Sequence, residues 1–421
     1  MSTAFDFSTA PDRRGSDSVK WNRPWPRAKG SEFEGDVLPL WVADMDFAAP
    51  EPVVAAIRHR LEHPVFGYGH PGHGLTAAVT GFIARHYGWE VAPDWLVWLP
   101  GVVSGFNVGC RLMGEEGDGV VVPAPVYPPF FAAPGHAGRR LLRTDLIERA
   151  TPAGPEWGWD WPALDALLAD SQQRAAGLLL CHPHNPVGRA WRRDELEALA
   201  ERVLRHDLVV VSDDIHADLQ LAPGACHLPL AGAVPELASR TVSLFAPSKT
   251  FNIPGLYCAF AVIPDAGLRQ RFRAAARGFV PEPNLLGLAA TEAAYRDCDD
   301  WLAALLAALR GNADRLVAAV AGLPGVAMAR PEATYLGWLD CRGLQARLPQ
   351  GLDPAGFFEA HGLGLSNGAD FGLPGFVRLN FGCPPARLDA ALARLARAVT
   401  GLMGGHLDSH QDGHFGPRSP A

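Results

Sequence analysis

The chain has 421 residues, of which 48% are hydrophobic and 19% charged, with a formal net charge of −8 and a pI near 6.0. That size supports a large core and two or three domains, and the acidic balance, with no basic run, excludes a nucleic-acid-binding surface. No stretch approaches the roughly 18 to 20 uninterrupted apolar residues of a membrane span, so no membrane partner is expected. The seven cysteines are dispersed without a C-x-x-C pair, and the polar residues 1–15 lack the apolar centre of a signal peptide. Both point to reduced thiols in the cytoplasm.

Residues 1–50 read as an N-terminal arm that also supplies part of a smaller domain. They are rich in Pro, Trp and acids, and the apolar run Leu38–Phe47 carries Asp44 and Asp46. Pro50 and Pro52 open a helix over 51–62, since Pro is tolerated in a first turn. Gly67-Tyr68-Gly69-His70-Pro71-Gly72 matches G-x-G-x-x-G, but a helix precedes it and Pro71 lacks an N–H, so it reads as a loop presenting Tyr68 rather than a dinucleotide cradle. A helix over 74–87 follows.

From residue 95 strands and helices alternate. Apolar runs at 95–99, 119–122, 140–143, 176–181, 208–212, 241–245 and 258–263 predict a mostly parallel seven-stranded sheet, with helices at 101–113, 161–171 and 192–206. This makes 51–290 a large α/β domain. Residues 284–321 predict a long Ala/Leu-rich helix, bent near 297–300. Strands at 335–339 and 376–380 with helices at 352–361 and 385–403 predict a smaller α+β domain over 291–403. The Gly/His/Asp/Pro-rich tail 404–421 is expected to be disordered, with His406, His410 and His414 solvated rather than metal-binding.

One lysine stands out. The chain has only Lys20, Lys29 and Lys249 and otherwise uses Arg. Lys249 ends the apolar run 243–247. Unlike Arg, Lys can lose its proton and act as nucleophile or base; the alternative is a surface lysine. In a parallel sheet ligands bind at the carboxyl ends of the strands, and further polar signals fall there. Gly101 to Gly105 opens a helix whose free N–H groups at Val102 and Val103 can hold a phosphate. Tyr127 follows the second strand, Asn185 the fourth and Asp213 the fifth, while Arg378 interrupts an apolar strand. Together these groups fit a phosphorylated pyridine aldehyde. Lys249 forms the imine, Asp213 pairs with the ring nitrogen, Asn185 donates to the phenolic oxygen and Tyr127 stacks on the ring. Arg378 offers a fork for a carboxylate. Each group also has an ordinary reading: Asn185-Pro186 as a turn, Asp213 as a cap, Arg378 as a structural ion pair. His182 and His184 have no matching ligand spacing, so no metal is expected.

The order Tyr127, Asn185-Pro186-x-Gly188, Asp213, Ser248-Lys249 and Arg378 resembles the fold-type I pyridoxal-phosphate enzymes of the class I/II aminotransferase group. Within it, the chain looks most like the MalY/PatB-type C–S lyases, or cystathionine β-lyases. The motifs are Asp12-Arg13-x-Gly15-x-x-Ser18-x-Lys20-Trp21, Trp41 to Phe47, Phe66-Gly67-Tyr68, His184 to Arg189, Asp213-x-Ile215-His216-Ala217-Asp218 and Glu332 to Trp338. The resemblance covers nearly all of residues 10–400. It implies a PLP-dependent transferase-like fold and pyridoxal 5'-phosphate held by Val102, Val103, Tyr127, Asn185, Asp213, His216, Ser248 and Lys249. Arg378 and Ala43 then bind substrate, Lys249 and Tyr68 act in catalysis, and Tyr68 reaches the neighbouring site of a homodimer. The implied reaction is α,β-elimination from an amino-acid thioether such as L-cystathionine, giving thiol, pyruvate and ammonia. Transamination needs the same residues and stays open, as does a regulatory protein-binding role. Two positions depart from the common pattern: Ala246 stands where many relatives have Ser, and Tyr257 where many aminotransferases have a phosphate-binding Arg.

Overall fold

The computed structural model describes residues 5–25, 35–151 and 154–404. The tail beyond 404, with its three histidines, and Lys29 lie outside the described residues. The main sheet has eight strands, β1 Leu96–Leu99, β2 Gly119–Ala124, β3 Arg140–Thr151, β4 Gly154–Trp159, β5 Ala175–Cys181, β6 Val209–Asp213, β7 Thr241–Phe245 and β8 Ala259–Val262; β3 buries only one face, while the unbroken apolar runs β1, β2 and β5 to β8 are buried on both. Their side chains alternate between two cores. Val120, Val122, Leu179 and Val211 enter one, and Val121, Leu178, Leu180 and Val210 the other. The strand order is β1-β8-β7-β6-β5-β2-β3-β4. The block from β7 to β3 is parallel, while β8 is antiparallel to both β7 and β1.

All seven expected strands are present. The eighth, β4, pairs antiparallel with an extension of β3. Its Gly-Pro-Glu-Trp-Gly-Trp sequence carries two glycines and a proline, which weaken any strand signal. It is held instead by burial of Trp157 and Trp159.

Helices α1 Glu51–Leu61, α2 His73–Tyr87 and α3 Val102–Cys110 follow the expected order. Gly105 and Gly109 lie one turn apart on α3 and face Leu244 and Val211; a Cβ on Gly105 would stand 2.8 Å from Leu244. The glycines therefore let α3 lie close on the sheet and fix its N-terminus at the end of β1. The long helix expected over 284–321 is two, Leu285–Asp297 and Asp299–Ala321, broken at Cys298. The second sheet runs Ala327–Met328, Leu336–Asp340, Phe376–Asn380, Ser366–Asn367, antiparallel throughout. Helices Asp299–Ala321 and Pro385–Gly404 share its apolar core through Leu305, Leu309, Leu316, Leu388, Leu395 and Val399.

The segment Trp41–Phe47 ties the two sheets together through its backbone carbonyls. Asn380 Nδ2 donates to Val42 and Asp44, and Asn252 Nδ2 donates to Met45 and Phe47. The arm is fastened to the same segment by charge. Asp46 Oδ1 accepts from Lys20 Nζ at 3.1 Å, Trp21 Nε1 at 3.1 Å and Arg13 Nη1 at 3.3 Å, while its Oδ2 lies 2.7 Å from Arg387 Nη1. The Lys20 and Asp46 side chains are fully buried. Removing one member of a buried ion pair strands the other, at about 3 to 5 kcal/mol. Asp46→Ala is expected to lower stability by that order in urea denaturation, and to expose residues 12–21 to limited proteolysis.

Candidate functional site

The carboxyl ends of β1, β2, β5, β6 and β7 open onto one cavity of about 820 Å³. At one end stands the N-terminus of α3. Gly101 precedes it in extended backbone, and among the described residues no side chain caps it. The first-turn N–H groups have no partner within a helix, and here those of Val102, Val103 and Ser104 belong to residues lining the cavity. Such a terminus binds anions. Ala246, Ser248 and Tyr257 complete the lining on the β7 side.

Lys249 lies in the turn after β7. Its Nζ donates to the Ala43 carbonyl at 2.7 Å, and the Tyr335 hydroxyl donates to the same oxygen at 3.0 Å. Burial, helped by the Arg378 charge, brings the Lys249 ammonium down to about 8 against the pull of Asp44 and Asp213. A neutral amine is thus accessible near physiological pH.

Asp213 ends β6, in register with Cys181 of β5. Burial pushes its carboxyl up to about 7; the Ile215 N–H, donating at 3.1 Å, and Lys249 pull the other way, while Asp214 adds to the rise. Burial, then the charges of Lys249 and Arg378, hold His216 well below its ordinary value, so it is neutral. Its ring meets Tyr335 edge-on at 6.0 Å.

Arg378 enters from the second sheet. Burial lowers its guanidinium to about 10, with Tyr127 and Tyr335 acting against that. It donates to Asn185 Oδ1 at 3.0 Å, to the Trp41 carbonyl at 2.8 Å and to Ser366 Oγ at 3.3 Å, and lies over the Phe371 ring at 4.7 Å. Three of its five N–H bonds are used, and Nε has no partner among the described residues. Because Asn185 Oδ1 accepts from Arg378, its amide Nδ2 is left as a donor. The Tyr127 N–H donates to the Asn185 carbonyl at 3.1 Å, which sets the ring on the cavity wall.

The cavity therefore gathers Ala43, Val102, Val103, Tyr127, Asn185, Asp213, His216, Ser248, Lys249 and Arg378. Tyr68 is not among them. It stands fully exposed on the loop before α2 and does not line its own chain's cavity. Sequence reasoning missed Trp41, Ser366 and Phe371, which seat Arg378, and Asn252 and Asn380, which hold the Trp41–Phe47 segment. Asn380 had a signal: two residues from Arg378 on one strand, it shares that face. His182 and His184 are buried and neutral, lowered by burial to about 3 and about 4, and hydrogen-bond the Leu228 and Pro125 carbonyls. Among the described residues no group of three or more His, Cys, Asp or Glu side chains is placed to hold a metal.

Known proteins are similar to this chain over most of its length. Cystathionine beta-lyase PatB of Bacillus subtilis (strain 168) is 38% identical over 404 residues, 94% of this chain and 100% of that protein. The crystal structure of OvoB is 44% identical with a TM-score of 0.84, covering 94% of this chain and 99% of that one. Cystalysin from Treponema denticola, solved with a pyridoxal 5'-phosphate cofactor, is 31% identical with a TM-score of 0.86 over the same shares. With residues 35–395 matching the family described as aminotransferase class I and II, and its strand-end residues in place, the chain belongs to that family, in the branch of the MalY/PatB-type C–S lyases.

Proposed function

We propose that this protein is a pyridoxal-phosphate-dependent C–S β-lyase acting on amino-acid thioethers such as L-cystathionine. The observation that carries the reading is Lys249, a half-buried lysine of lowered basicity, in one cavity with Asp213, Arg378 and an uncapped helix N-terminus. The residues present fit the cofactor. Val102 and Val103 N–H groups with Ser248 would receive its phosphate, Asp213 would pair with the ring nitrogen, Asn185 Nδ2 would donate to the phenolic oxygen, and Tyr127 and neutral His216 would pack against the ring. Bound there, pyridoxal phosphate draws electrons from the Cα of an attached amino acid.

The chain's own groups do the rest. Arg378, with two N–H bonds unused, takes the substrate carboxylate and so orients the Cα–H bond. Lys249, released as a free amine, accepts the Cα proton at Nζ. The C–S bond breaks with its electron pair on sulfur, and water completes the conversion to thiol, pyruvate and ammonia. The Ala43 carbonyl, which holds Nζ at 2.7 Å, gives the amine a fixed resting place beside the substrate. In this reading Tyr68 serves the neighbouring subunit of a homodimer, residues 51–290 form the cofactor domain, and 1–50 and 291–403 supply the arm and the smaller domain. The seven free cysteines fit the cytoplasm, and no helix among the described residues is long and apolar enough to cross a membrane.

The test is incubation of the cofactor-loaded protein with L-cystathionine, with and without a keto acid. Pyruvate and free thiol without the keto acid support the lyase; product formation that requires it supports transamination instead. A pH prediction accompanies this. Only neutral Lys249 attacks an aldehyde, and its ammonium titrates near pH 8 in the cofactor-free protein. The rate of covalent cofactor attachment is therefore expected to rise about tenfold per pH unit below pH 8 and to level off above it. Stopped-flow absorbance of reconstitution reads this without turnover.

A further inference from the structure

Among the described residues, four charged side chains line the cavity: Asp213, Lys249, Arg378 and Asp370. Asp213 and Arg378 are buried and Lys249 half-buried, and all three are occupied with cofactor and substrate in the reading above. Asp370 is different. It lines the cavity yet is exposed, so it stands at the mouth. It forms no hydrogen bond or ion pair among the described residues.

Its backbone is well fixed. The turn Gly368–Phe371 is capped by Asn367, whose Oδ1 accepts from the Ala369 N–H at 3.0 Å and whose Nδ2 donates to Asp353 at 2.6 Å. The Phe371 carbonyl accepts from the Val126 N–H at 3.1 Å, next to Tyr127. Phe371 lies against Arg378, and Ser366 at the start of the same segment hydrogen-bonds it. The segment that seats Arg378 thus also carries an unpaired anion at the opening of the cavity.

We propose that Asp370 is a specificity-determining residue that favours thioethers whose distal substituent carries a positive charge. Such substituents are an alkylammonium, or the ammonium of a second amino-acid half. The inference rests on the lyase reading for its substrate class but not for its test. S-(2-aminoethyl)-L-cysteine and S-propyl-L-cysteine differ by an ammonium against a methyl at nearly constant shape. An exposed ion pair is worth about 1.4- to fivefold in affinity. Asp370→Asn is expected to lower the ratio of kcat/KM for the aminoethyl over the propyl substrate by up to about fivefold, and Asp370→Lys to lower it further. Added salt should shrink the wild-type preference, because at 1 M the screening length is about 3 Å. A ratio unchanged in both variants overturns the proposal. Dissociation constants of the same two amino acids, from the visible absorbance of the cofactor-loaded protein, give the comparison without cleavage. If no thioether yields pyruvate, the lyase reading fails while the binding ratio still decides the role of Asp370.

Discussion

Replacing Lys249 with Ala is expected to lower pyruvate formation from L-cystathionine by about 10³-fold or more, since a positioned general base alone contributes about 10² to 10⁴. The fold should survive the change. The Ala43 carbonyl keeps its bond from the Tyr335 hydroxyl at 3.0 Å, so no buried acceptor is stranded. Lys249→Arg sharpens the point. It keeps a positive charge in the same place but cannot give up its proton near neutral pH. If charge were the contribution of Lys249, the arginine variant would retain much of the rate; if proton transfer is, both variants fall together. Borohydride reduction followed by peptide mass spectrometry should find the cofactor on Lys249 in the wild type and nowhere in either variant. Retention of more than about a tenth of wild-type turnover in the alanine variant would sink the assignment.

What the sequence shows of this site, and what it hides, follows from where the information lies. Asp213, Asn185 and Lys249 are legible because each ends or closely follows an apolar run, and a polar side chain there falls at the carboxyl edge of the sheet. Val102 and Val103 are legible through Gly101, which opens a helix without a capping side chain. Arg378 shows itself as a charge inside an apolar strand. The supports of Arg378 do not, because Trp41, Ser366 and Phe371 come from other elements and meet it only through tertiary packing. The Trp41–Phe47 segment is the clearest case. Its work is done by backbone carbonyls, which carry no side-chain signature, although the asparagines that bind them are visible as letters. The hairpin strand β4 is hidden for a different reason: its glycines and proline argue against a strand, and two buried tryptophans outweigh them. Tyr68 is legible only through family resemblance, since nothing within one chain's cavity touches it.

Asp213→Asn is expected to damage the enzyme and stabilise the cofactor-free protein, and the two effects share one cause. In the cofactor-free chain, burial raises the Asp213 carboxyl from its ordinary 3.8 to about 7. A raised acid favours the folded state while protonated. Its contribution is greatest below pH 4 and is lost as pH rises through 4 toward 7, where a charge must be held in a dry site. The variant carries no such charge. Its thermal midpoint without cofactor should match the wild type near pH 4 and exceed it increasingly up to about pH 7, with a constant gap above. With cofactor bound, the balance reverses, because the ring nitrogen supplies the cation that the buried carboxylate lacks. Removing one partner of a buried charge pair costs about 2 to 5 kcal/mol, so kcat should fall by about 30- to 5,000-fold and the cofactor should dialyse away more readily. The stability is set aside locally so that the site can hold a cationic ring, as strained or destabilised functional sites commonly do. Equal midpoints at pH 8 for the two cofactor-free proteins would show that Asp213 is already satisfied without the cofactor, and would remove the electrostatic reason for its place at the end of β6.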